Sequence, residues 1–240
     1  MFPTVRLDNP VWHTLGGSLS RFAAAPSSSF MRRFESEVSP FSAVDEMDAS
    51  TWDRIASEIG PEGYCALFRS DLAELPPGWE EHFRGVCLQM VAAELKAPVE
   101  IGLELERLGA RQAEEALALA TLTEPGPFLT RTIELGRYVG FREGGRLCAM
   151  AGERFRVPGF VEISAVCTHP EARGRGLAAA LTLDVAGAIR RRGEEPFLHV
   201  LEENHAAIRL YEKLGFVLRR RMQVVFVQWH GRESRGAPIS

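Results

Sequence analysis

The sequence contains few lysines and no long apolar run. Lys96 and Lys213 are the only lysines among 240 residues, so almost all of the positive charge is arginine. The formal net charge is −4 and the isoelectric point is about 5.9, which argues against nucleic-acid binding through overall charge. No apolar stretch reaches the length of a membrane span, and the N-terminus shows no basic-then-apolar leader. We therefore expect a cytoplasmic protein with no membrane or nucleic-acid partner.

Cysteine and histidine are also sparse, and neither shows the spacing of a metal site. The six histidines are scattered along the chain. The four cysteines lie far apart, with no C-x-x-C pair: Cys65, Cys87, Cys148 and Cys167. They occur mostly in apolar runs that resemble strands, so we expect reduced, buried thiols, and we predict no bound metal.

The domain organisation follows from composition and breaks in pattern. With 45% hydrophobic and 25% charged residues, the chain suits one or two soluble domains with a real core. The best linker is Lys96-Ala97-Pro98. We predict an α/β domain over residues 1–95, a second domain over 98–229 and a disordered Gly, Arg and Ser-rich tail over 230–240. In the first domain the patterns predict helices over 11–22 and 52–59, and strands over 31–35, 64–68 and 79–91. In the second they predict a strand over 99–105, a helix over 110–122 stopped by Glu124-Pro125-Gly126-Pro127, a hairpin that turns at Glu143-Gly144-Gly145, and two last strands over 216–221 and 222–229.

The stretch from Phe160 to Gly215 holds the most chemical information. It begins with a predicted strand, in which alternation places the odd-numbered positions 161–167 on one face and the even-numbered positions 162–168 on the other. His169-Pro170 ends the strand, and Arg173-Gly174-Arg175-Gly176 opens a helix. The paired glycines let backbone N–H groups approach a ligand at a helix N-terminus, where the dipole favours anions. This chemistry favours a phosphate or pyrophosphate.

Two other interpretations of the glycines were weighed. They could form only a flexible turn. Alternatively, Gly174, Gly176 and Ala179 fit the dinucleotide pattern G-x-G-x-x-A, with Glu202 as the acid after the next strand. That fingerprint needs its first glycine directly after the strand, whereas here five residues intervene after Thr168. The context therefore argues against a dinucleotide site.

A second strand and helix follow. Residues 196–201 read as a strand, and a helix from His205 to Leu214 ends at Gly215, a natural C-cap. Asn204 fits the N-cap position, which would by itself explain it. Tyr211 lies seven positions further on, about two turns, and so on roughly the same face as Asn204. Taken alone, this tyrosine also fits an ordinary core aromatic.

Together the three motifs V-C-T-x-P, R-G-x-G-L-A and N-x-x-A-x-x-L-Y-x-K-x-G-F resemble the GNAT acetyltransferase superfamily. The resemblance covers about residues 99–229. It implies a mixed α/β fold: a twisted mixed sheet flanked by helices, with a splayed central strand pair. The smaller α/β N-terminal domain resembles the degenerate half that some two-part GNAT proteins carry.

The resemblance also implies roles for individual residues. Backbone groups of Val166, Cys167 and Thr168 would pair with the pantetheine arm of acetyl-CoA as an added strand does. Asn204 would contact the cofactor near the strand splay, and Tyr211 would contact it and donate a proton to the departing thiolate. Backbone amides would hold the pyrophosphate, contributed by Arg173, Gly174, Arg175, Gly176, Leu177, Ala178 and Ala179.

The general base and the acceptor site are less directly marked. Glu162 is the first choice of base, because a carboxylate in a central strand is costly unless it is paired or faces a cleft. Glu134 is the second choice. The segment that shapes acceptor specificity in GNAT proteins corresponds to the region of Phe128, Arg131 and Glu134, which we expect to touch the acceptor. Cys167 is not expected to act as a nucleophile, because it shares an apolar strand face.

The sequence therefore predicts an enzyme that transfers the acetyl group of acetyl-CoA directly to a primary amine. The alternative is a non-catalytic module that binds acetyl-CoA as a sensor or interaction domain. The presence of both Asn204 and Tyr211 favours the enzyme. The acceptor is left open between a small-molecule amine and a peptide amine, and exposed terminal strands could pair in a homodimer.

Overall fold

The structure is a computed structural model that describes residues 4–25, 28–97 and 104–231. The strands in these ranges are β1 Met31–Arg33, β2 Phe41–Val44, β3 Gly63–Arg69, β4 Trp79–Ala92, β5 Leu105–Leu108, β6 Tyr138–Glu143, β7 Arg146–Val157, β8 Phe160–Thr168, β9 Glu195–Leu201 and β10 Phe216–Trp229. The α-helices are α1 Pro10–Leu15, α2 Thr51–Ile59, α3 Ala113–Thr123, α4 Leu177–Arg191 and α5 His205–Leu214. Short 3-10 turns cover Thr4–Asp8, Ser20–Phe22, Ala110–Gln112, Thr132–Leu135 and Pro170–Ala172.

All ten described strands form one mixed sheet. Its order is β1-β2-β3-β10-β4-β9-β8-β7-β6-β5. The pairs β2–β3 and β8–β9 are parallel, and the other neighbours are antiparallel. Each parallel pair needs a crossover, which α2 supplies between β2 and β3 and α4 supplies between β8 and β9. The predicted fold class, a mixed sheet flanked by helices, is confirmed.

The N-terminal part shares this sheet with the C-terminal part. Strand β4 lies between β9 and β10, pairing Cys87 with Leu201 on one side and Ala92 with Phe216 on the other. Strand β3 lies on the far side of β10. The division at residues 95–98 stays a prediction about domains, but the two parts share backbone hydrogen bonds across a continuous sheet.

The helices cover both faces of the sheet, as alternation along β7 shows. Ala149 and Ala151 belong to the apolar cluster under α4 and α5. Met150, between them, points the other way into the cluster under α3. A further cluster packs α1 against β2 and β7, and α2 covers β3. The most buried apolar side chains therefore lie in the layers between helices and sheet.

Most predicted elements are present, two differ, and two lie mainly outside the described residues. The helix predicted over residues 11–22 ends at Leu15, where Gly16 and Gly17 follow. The two strands predicted over 216–221 and 222–229 are one strand, β10, in which a bulge at Arg219 interrupts the register with β4. The strand predicted over 99–105 falls largely, and the tail predicted over 230–240 almost wholly, outside the described residues.

The alternation predicted for β8 is wrong from Ala165 onward. Ala165 has φ +53°, and the register with β7 shifts between Ser164 and Cys167. This bulge reverses the faces that follow it: Ile163 packs under α4, whereas Ala165 and Cys167 pack under α3. Alternation along a strand assumes that no residue is inserted, so it cannot reveal a bulge. A glycine at the left-handed position would have marked this one, but the residue there is an alanine.

Candidate active site

The centre of the site is the point where β8 and β9 separate. Their parallel pairing runs from Phe160 opposite Glu195 to Ile163 opposite Leu198. Within the described ranges, no pairing between the two strands continues beyond Ile163. The left-handed Ala165 lies immediately after this point. The two strands therefore leave a wedge, and the second half of β8 presents one backbone edge to it.

On one side of the wedge lies a cleft of about 370 Å³, here called the smaller cleft. Its lining includes residues 166–168, Arg173, Gly174, residues 176–179, Asn204 and Leu210. Gly174 and Gly176 have φ +78° and +76°, a conformation that glycine adopts without strain. A Cβ built on either glycine would meet no atom within 4 Å. Gly176 is the N-cap of α4, so the first amides of a 15-residue helix open into this cleft.

The two arginines of the glycine turn differ in placement. Arg173 lines the smaller cleft, and its Nε donates to the Thr168 carbonyl at 3.3 Å. Arg175 does not line the smaller cleft. It donates two hydrogen bonds to Glu143, of 2.8 and 2.9 Å, and this carboxylate balances its charge. The sequence predicted both near phosphate, and the structure brings only Arg173 to the cleft wall.

On the other side lies a cleft of about 430 Å³, here called the larger cleft, whose lining includes several aromatic rings. Its lining includes Phe41, Tyr64, Phe68, His82, Phe83, Pro125–Pro127, Arg154, His199, Tyr211 and Phe226. Strands β2, β3, β4 and β10 supply most of these rings. The N-terminal part therefore builds one wall of the site.

The two clefts meet beside the wedge. Both are lined by Glu124, Pro125, Val166, Asn204 and Ala207. This shared border, here called the junction, joins a cleft suited to an anion with one suited to an apolar group. A molecule in each cleft would bring its end to the junction, which is the geometry needed for transfer between two ligands.

Asn204 and Tyr211 both reach this region from α5. The Asn204 side chain accepts a hydrogen bond from the Ala207 amide at 3.1 Å, so it caps the helix as well as lining the junction. Tyr211 lines the larger cleft and is 7% exposed. Burial raises the pKa of its hydroxyl, so the phenol keeps its proton at neutral pH.

Glu162 lies behind the cleft wall. It is fully buried and is not a lining residue, but its two partners, Arg154 and His199, do line the larger cleft. Arg154 donates to both carboxylate oxygens, at 2.8 and 2.6 Å, and His199 Nδ1 lies 2.7 Å from Oε1. Burial alone would raise the pKa of Glu162, but the charge and hydrogen bonds of Arg154 and the bond from His199 outweigh it and lower the pKa to about 2.

The protonation state of His199 follows from its second partner. Its Nε2 lies 2.9 Å from the amide nitrogen of Gln89. That amide is oriented by two bonds, since its nitrogen donates to the Leu7 carbonyl and its oxygen accepts from Arg219, at 2.8 and 2.7 Å. Nε2 of His199 must therefore accept, and Nδ1–H donates to Glu162. Burial lowers the pKa of His199 despite the carboxylate, which is consistent with a neutral ring.

The structure places the predicted acceptor residues away from both clefts. Phe128 is buried against the Tyr138 ring, with centroids 5.7 Å apart. Arg131 pairs with Glu134 at 2.9 Å and with Glu35. None of the three predicted residues lines either cleft, although their contact with acceptor stays untested. The neighbouring segment 124–127, whose Glu-Pro-Gly-Pro pattern predicted only a helix stop, does line the larger cleft.

The cysteines are all buried. Burial raises the pKa of Cys167 to about 11, so its sulfur is a thiol at neutral pH and a poor nucleophile. Among the described residues, no group of three His, Cys, Asp or Glu side chains could hold a metal ion. None of the helices in those ranges combines the length and apolar character needed to cross a bilayer.

Comparison with known proteins agrees with this geometry. The family model of FR47-like proteins matches residues 138–226. The N-alpha-acetyltransferase RimI of Mycobacterium tuberculosis is 34% identical over 134 residues, which are 52% of this chain and 84% of that protein. A mycothiol acetyltransferase of Thermobispora bispora is 50% identical over 56 residues, 23% of this chain and 19% of that protein. The chain spans less than two fifths of the length of the mycothiol acetyltransferases it matches.

A solved structure extends the similarity to nearly the whole chain. A protein of Novosphingobium aromaticivorans, assigned to the GNAT family of acetyltransferases, is 38% identical, with a TM-score of 0.83 over 93% of this chain and 98% of that one. This chain belongs to the GNAT family. A GNAT protein of Kribbella flavida, 17% identical with a TM-score of 0.64, shares the fold over 96% of this chain. The fold that the present chain shares with these two GNAT proteins therefore includes the N-terminal strands.

Proposed function

We propose that this GNAT protein is an N-acetyltransferase that moves the acetyl group of acetyl-CoA to a primary amine. The observation that carries the proposal is the junction, where the smaller, anion-suited cleft meets the larger, apolar cleft beside Val166. The curated relatives named above are acetyltransferases, and they support the same reaction class.

The smaller cleft fits the chemistry of coenzyme A. Backbone amides of Gly174, Gly176 and the first turn of α4 would hold the pyrophosphate, and Arg173 would add a positive charge. The open space over both glycines leaves room for phosphate oxygens to approach. Within the described residues the hydroxyl of Thr168 has no hydrogen-bond partner, although Thr168 lines this cleft, so it is available to the pantetheine arm. Bound there, acetyl-CoA would supply an activated acetyl thioester.

At the junction the chain supplies groups for direct transfer. The unpaired edge of β8 at Val166–Thr168 would align the pantetheine arm as an added strand. The neutral amine would attack the thioester carbonyl, and the N–H of Val166 would stabilise the charge on the carbonyl oxygen. As the C–S bond breaks, the proton that the nitrogen loses would pass to solvent in the larger cleft. Tyr211 would donate a proton to the leaving sulfur. Burial raises the pKa of its hydroxyl and makes it a weak acid, so the transfer requires that the same dry site leaves the thiolate poorly solvated and more basic. Asn204 would hold the end of the arm near the junction.

Glu162 has a different role in this proposal. A carboxylate with a pKa of about 2 is a weak base, and its burial behind Arg154 and His199 keeps it from direct contact with a ligand in the larger cleft. We infer that Glu162 is a positioning residue, which fixes the tautomer of His199 and the orientation of the Arg154 guanidinium. The side chains of Arg154 and His199 then face the larger cleft in fixed orientations.

The proposal is tested by binding and turnover together. Acetyl-CoA, coenzyme A and NAD are titrated while the melting temperature is followed, and thiol release is then measured across a panel of amines. A ligand at 100 times its Kd should stabilise the fold by about 2.7 kcal/mol. Stabilisation by acetyl-CoA with amine-dependent thiol release supports the enzyme. Stabilisation without release for any amine would favour a non-catalytic acetyl-CoA-binding module, and no stabilisation would overturn both.

A further inference from the structure

The larger cleft has a continuous aromatic wall away from the junction. The wall consists of Phe41, Tyr64, Phe68, Phe83 and Phe226, none of which lines the smaller cleft. The ring of Phe41 lies 6.1 Å from Phe68 and 5.9 Å from Phe226, and Phe226 lies 5.8 Å from Phe83 and 6.2 Å from Tyr64. Rings at these separations pack against one another and leave their remaining faces and edges for a ligand.

Part of this wall is more exposed than a core requires. Tyr64 and Phe83 are 46% and 42% exposed, and they are among the few large apolar side chains exposed to this degree in the described residues. Both lie on strands that face the cleft, beside His82 at the rim. An aromatic group placed against them would remove apolar area from water, which is favourable by about 25 cal/mol per Å². The cleft volume of about 430 Å³ is in the range of small-molecule sites.

One polar group in this cleft has an unused donor. Arg154 contacts Glu162 through Nε and Nη2, and among the described residues its Nη1 donates no hydrogen bond. The side chain is only 9% exposed, yet Arg154 lines the larger cleft. Its guanidinium lies 5.3 Å from the centroid of Phe41, at the deep end of the aromatic wall. Among the described residues Nη1 is not one of the fully buried side-chain atoms that lack a partner, so it reaches the cleft surface, where a ligand oxygen would accept its hydrogen bond.

We propose that the acceptor is a small primary amine that carries an aromatic side group and a carbonyl or carboxylate oxygen, with the aromatic group on the aromatic wall and the oxygen on Nη1 of Arg154. This inference rests on the proposed function and names the substrate class of the same site. The amine nitrogen would then point to the junction at Val166, and Tyr211 lines the same cleft. Because Glu162 already balances Arg154, the pocket accepts an uncharged carbonyl as well as a carboxylate.

The test compares kcat/KM for amines that differ in one group. Phenylalanine amide and alanine amide differ in the phenyl ring, whereas phenylalanine amide and 2-phenylethylamine differ in the carbonyl group. Wild type should prefer phenylalanine amide by about tenfold or more in each comparison, because a pocket built for a group rejects the analogue that lacks it. Spermidine and glucosamine serve as amines without an aromatic group and should be poorer still.

Two variants separate the wall from the donor. Phe83→Ala should reduce the preference for phenylalanine amide over alanine amide by several-fold, whereas Leu218→Ala, which removes a 54% exposed side chain outside the clefts, should not. Arg154→Lys keeps a cation beside Glu162 and should reduce the preference over 2-phenylethylamine. The pairwise comparison in wild type does not depend on whether Arg154→Lys folds.

The outcomes distinguish this inference from the proposed function. If acetyl-CoA stabilises the protein but alanine amide, spermidine or glucosamine is used as well as phenylalanine amide, the acceptor class is wrong and the acetyltransferase stands. The same conclusion follows if Phe83→Ala slows all amines equally. If acetyl-CoA neither stabilises the protein nor supports thiol release, the proposed function fails and the acceptor class fails with it.

Discussion

Replacing Glu162 by glutamine removes one charge from a buried pair and leaves the other in place. The Glu162 side chain is 1% exposed and that of Arg154 is 9% exposed, so water cannot compensate the loss. Removing one partner of such a pair costs about 3–5 kcal/mol, because an uncompensated charge remains in the interior. For a protein of this size each kcal/mol lowers the melting temperature by about 2–4 °C. We therefore expect Glu162→Gln to melt about 6–20 °C below wild type.

The assay is thermal and urea unfolding, with a matched control on the surface. Glu134→Gln breaks an ion pair with Arg131 in which both side chains are more than a third exposed, and it should change stability by less than about 1 kcal/mol. The double variant Arg154→Met with Glu162→Leu removes both charges and should recover most of the loss. The N–H of His199 would then lack its acceptor, so the recovery should be incomplete.

The pH dependence gives an independent check with a definite sign. The pKa of Glu162 falls from its ordinary 4.5 to about 2 on folding. Its contribution is therefore fully present above about pH 4.5 and is lost as the pH falls toward 2, because the unfolded chain takes up the proton first. The shift corresponds to about 3 kcal/mol. The stability advantage of wild type over Glu162→Gln should shrink through this window.

Two results would refute the reasoning. If Glu162→Gln is as stable as Glu134→Gln, the buried pair is not what the geometry indicates. If the folded Glu162→Gln protein, assayed well below its melting temperature, binds acetyl-CoA normally but loses about 10²–10⁴ in turnover, Glu162 acts as the general base after all. A positioning role predicts instead that most of kcat survives in the folded fraction while the KM for the amine rises, because Arg154 loses the carboxylate that orients it.

Three further variants test the site. Tyr211→Phe should lower kcat, while its affinity for acetyl-CoA, measured by calorimetry, stays nearly unchanged. A kcat equal to that of wild type would show that Tyr211 is not the acid. Gly176→Ala should weaken acetyl-CoA binding. The control Gly193→Ala has nearly the same positive φ, 77°, but lies outside both clefts, so it should only lower stability, by about 1–2 kcal/mol in urea titrations. If the two variants bind acetyl-CoA equally well, the backbone amides at Gly176 do not hold the pyrophosphate. Asn204→Ala removes the helix cap and should cost about 1 kcal/mol of stability, and it should also weaken acetyl-CoA binding. If the affinity for acetyl-CoA is normal, Asn204 serves only as the helix cap.

Local patterns predicted much of the fold. The turn at Glu143-Gly144-Gly145, the start of α4 after Gly176 and the stop of α5 at Gly215 all lie where short-range chemistry places them. Glycine provides left-handed backbone that few other residues tolerate, so these positions can be recognised without knowing the fold. The bulge at Ala165 is the exception, because an alanine in left-handed conformation has no such signature.

The candidate site was predicted in part. The glycine turn, residues 166–168, Asn204 and Tyr211 all line one or both of the adjoining clefts, because one continuous segment from Phe160 to Gly215 carries them, and their roles stay predictions. The aromatic wall was missed, because its rings come from four strands far apart in sequence. Alternation such as Tyr64, Ala66 and Phe68 marks a strand face, but nothing in it shows that the face lines a cleft.

Short-range sequence patterns account for two local features of this protein, a helix start suited to an anion and a helix that carries Asn204 and Tyr211 on one face. The free edge of β8 and the groups around these features depend on tertiary contacts. The placement of β4 between β9 and β10 brings Gln89 to His199, and the pairing of β7 with β8 brings Arg154 to Glu162. Strand order and buried ion pairs depend on contacts between residues far apart along the chain, and local propensity carries no information about which distant partners will meet.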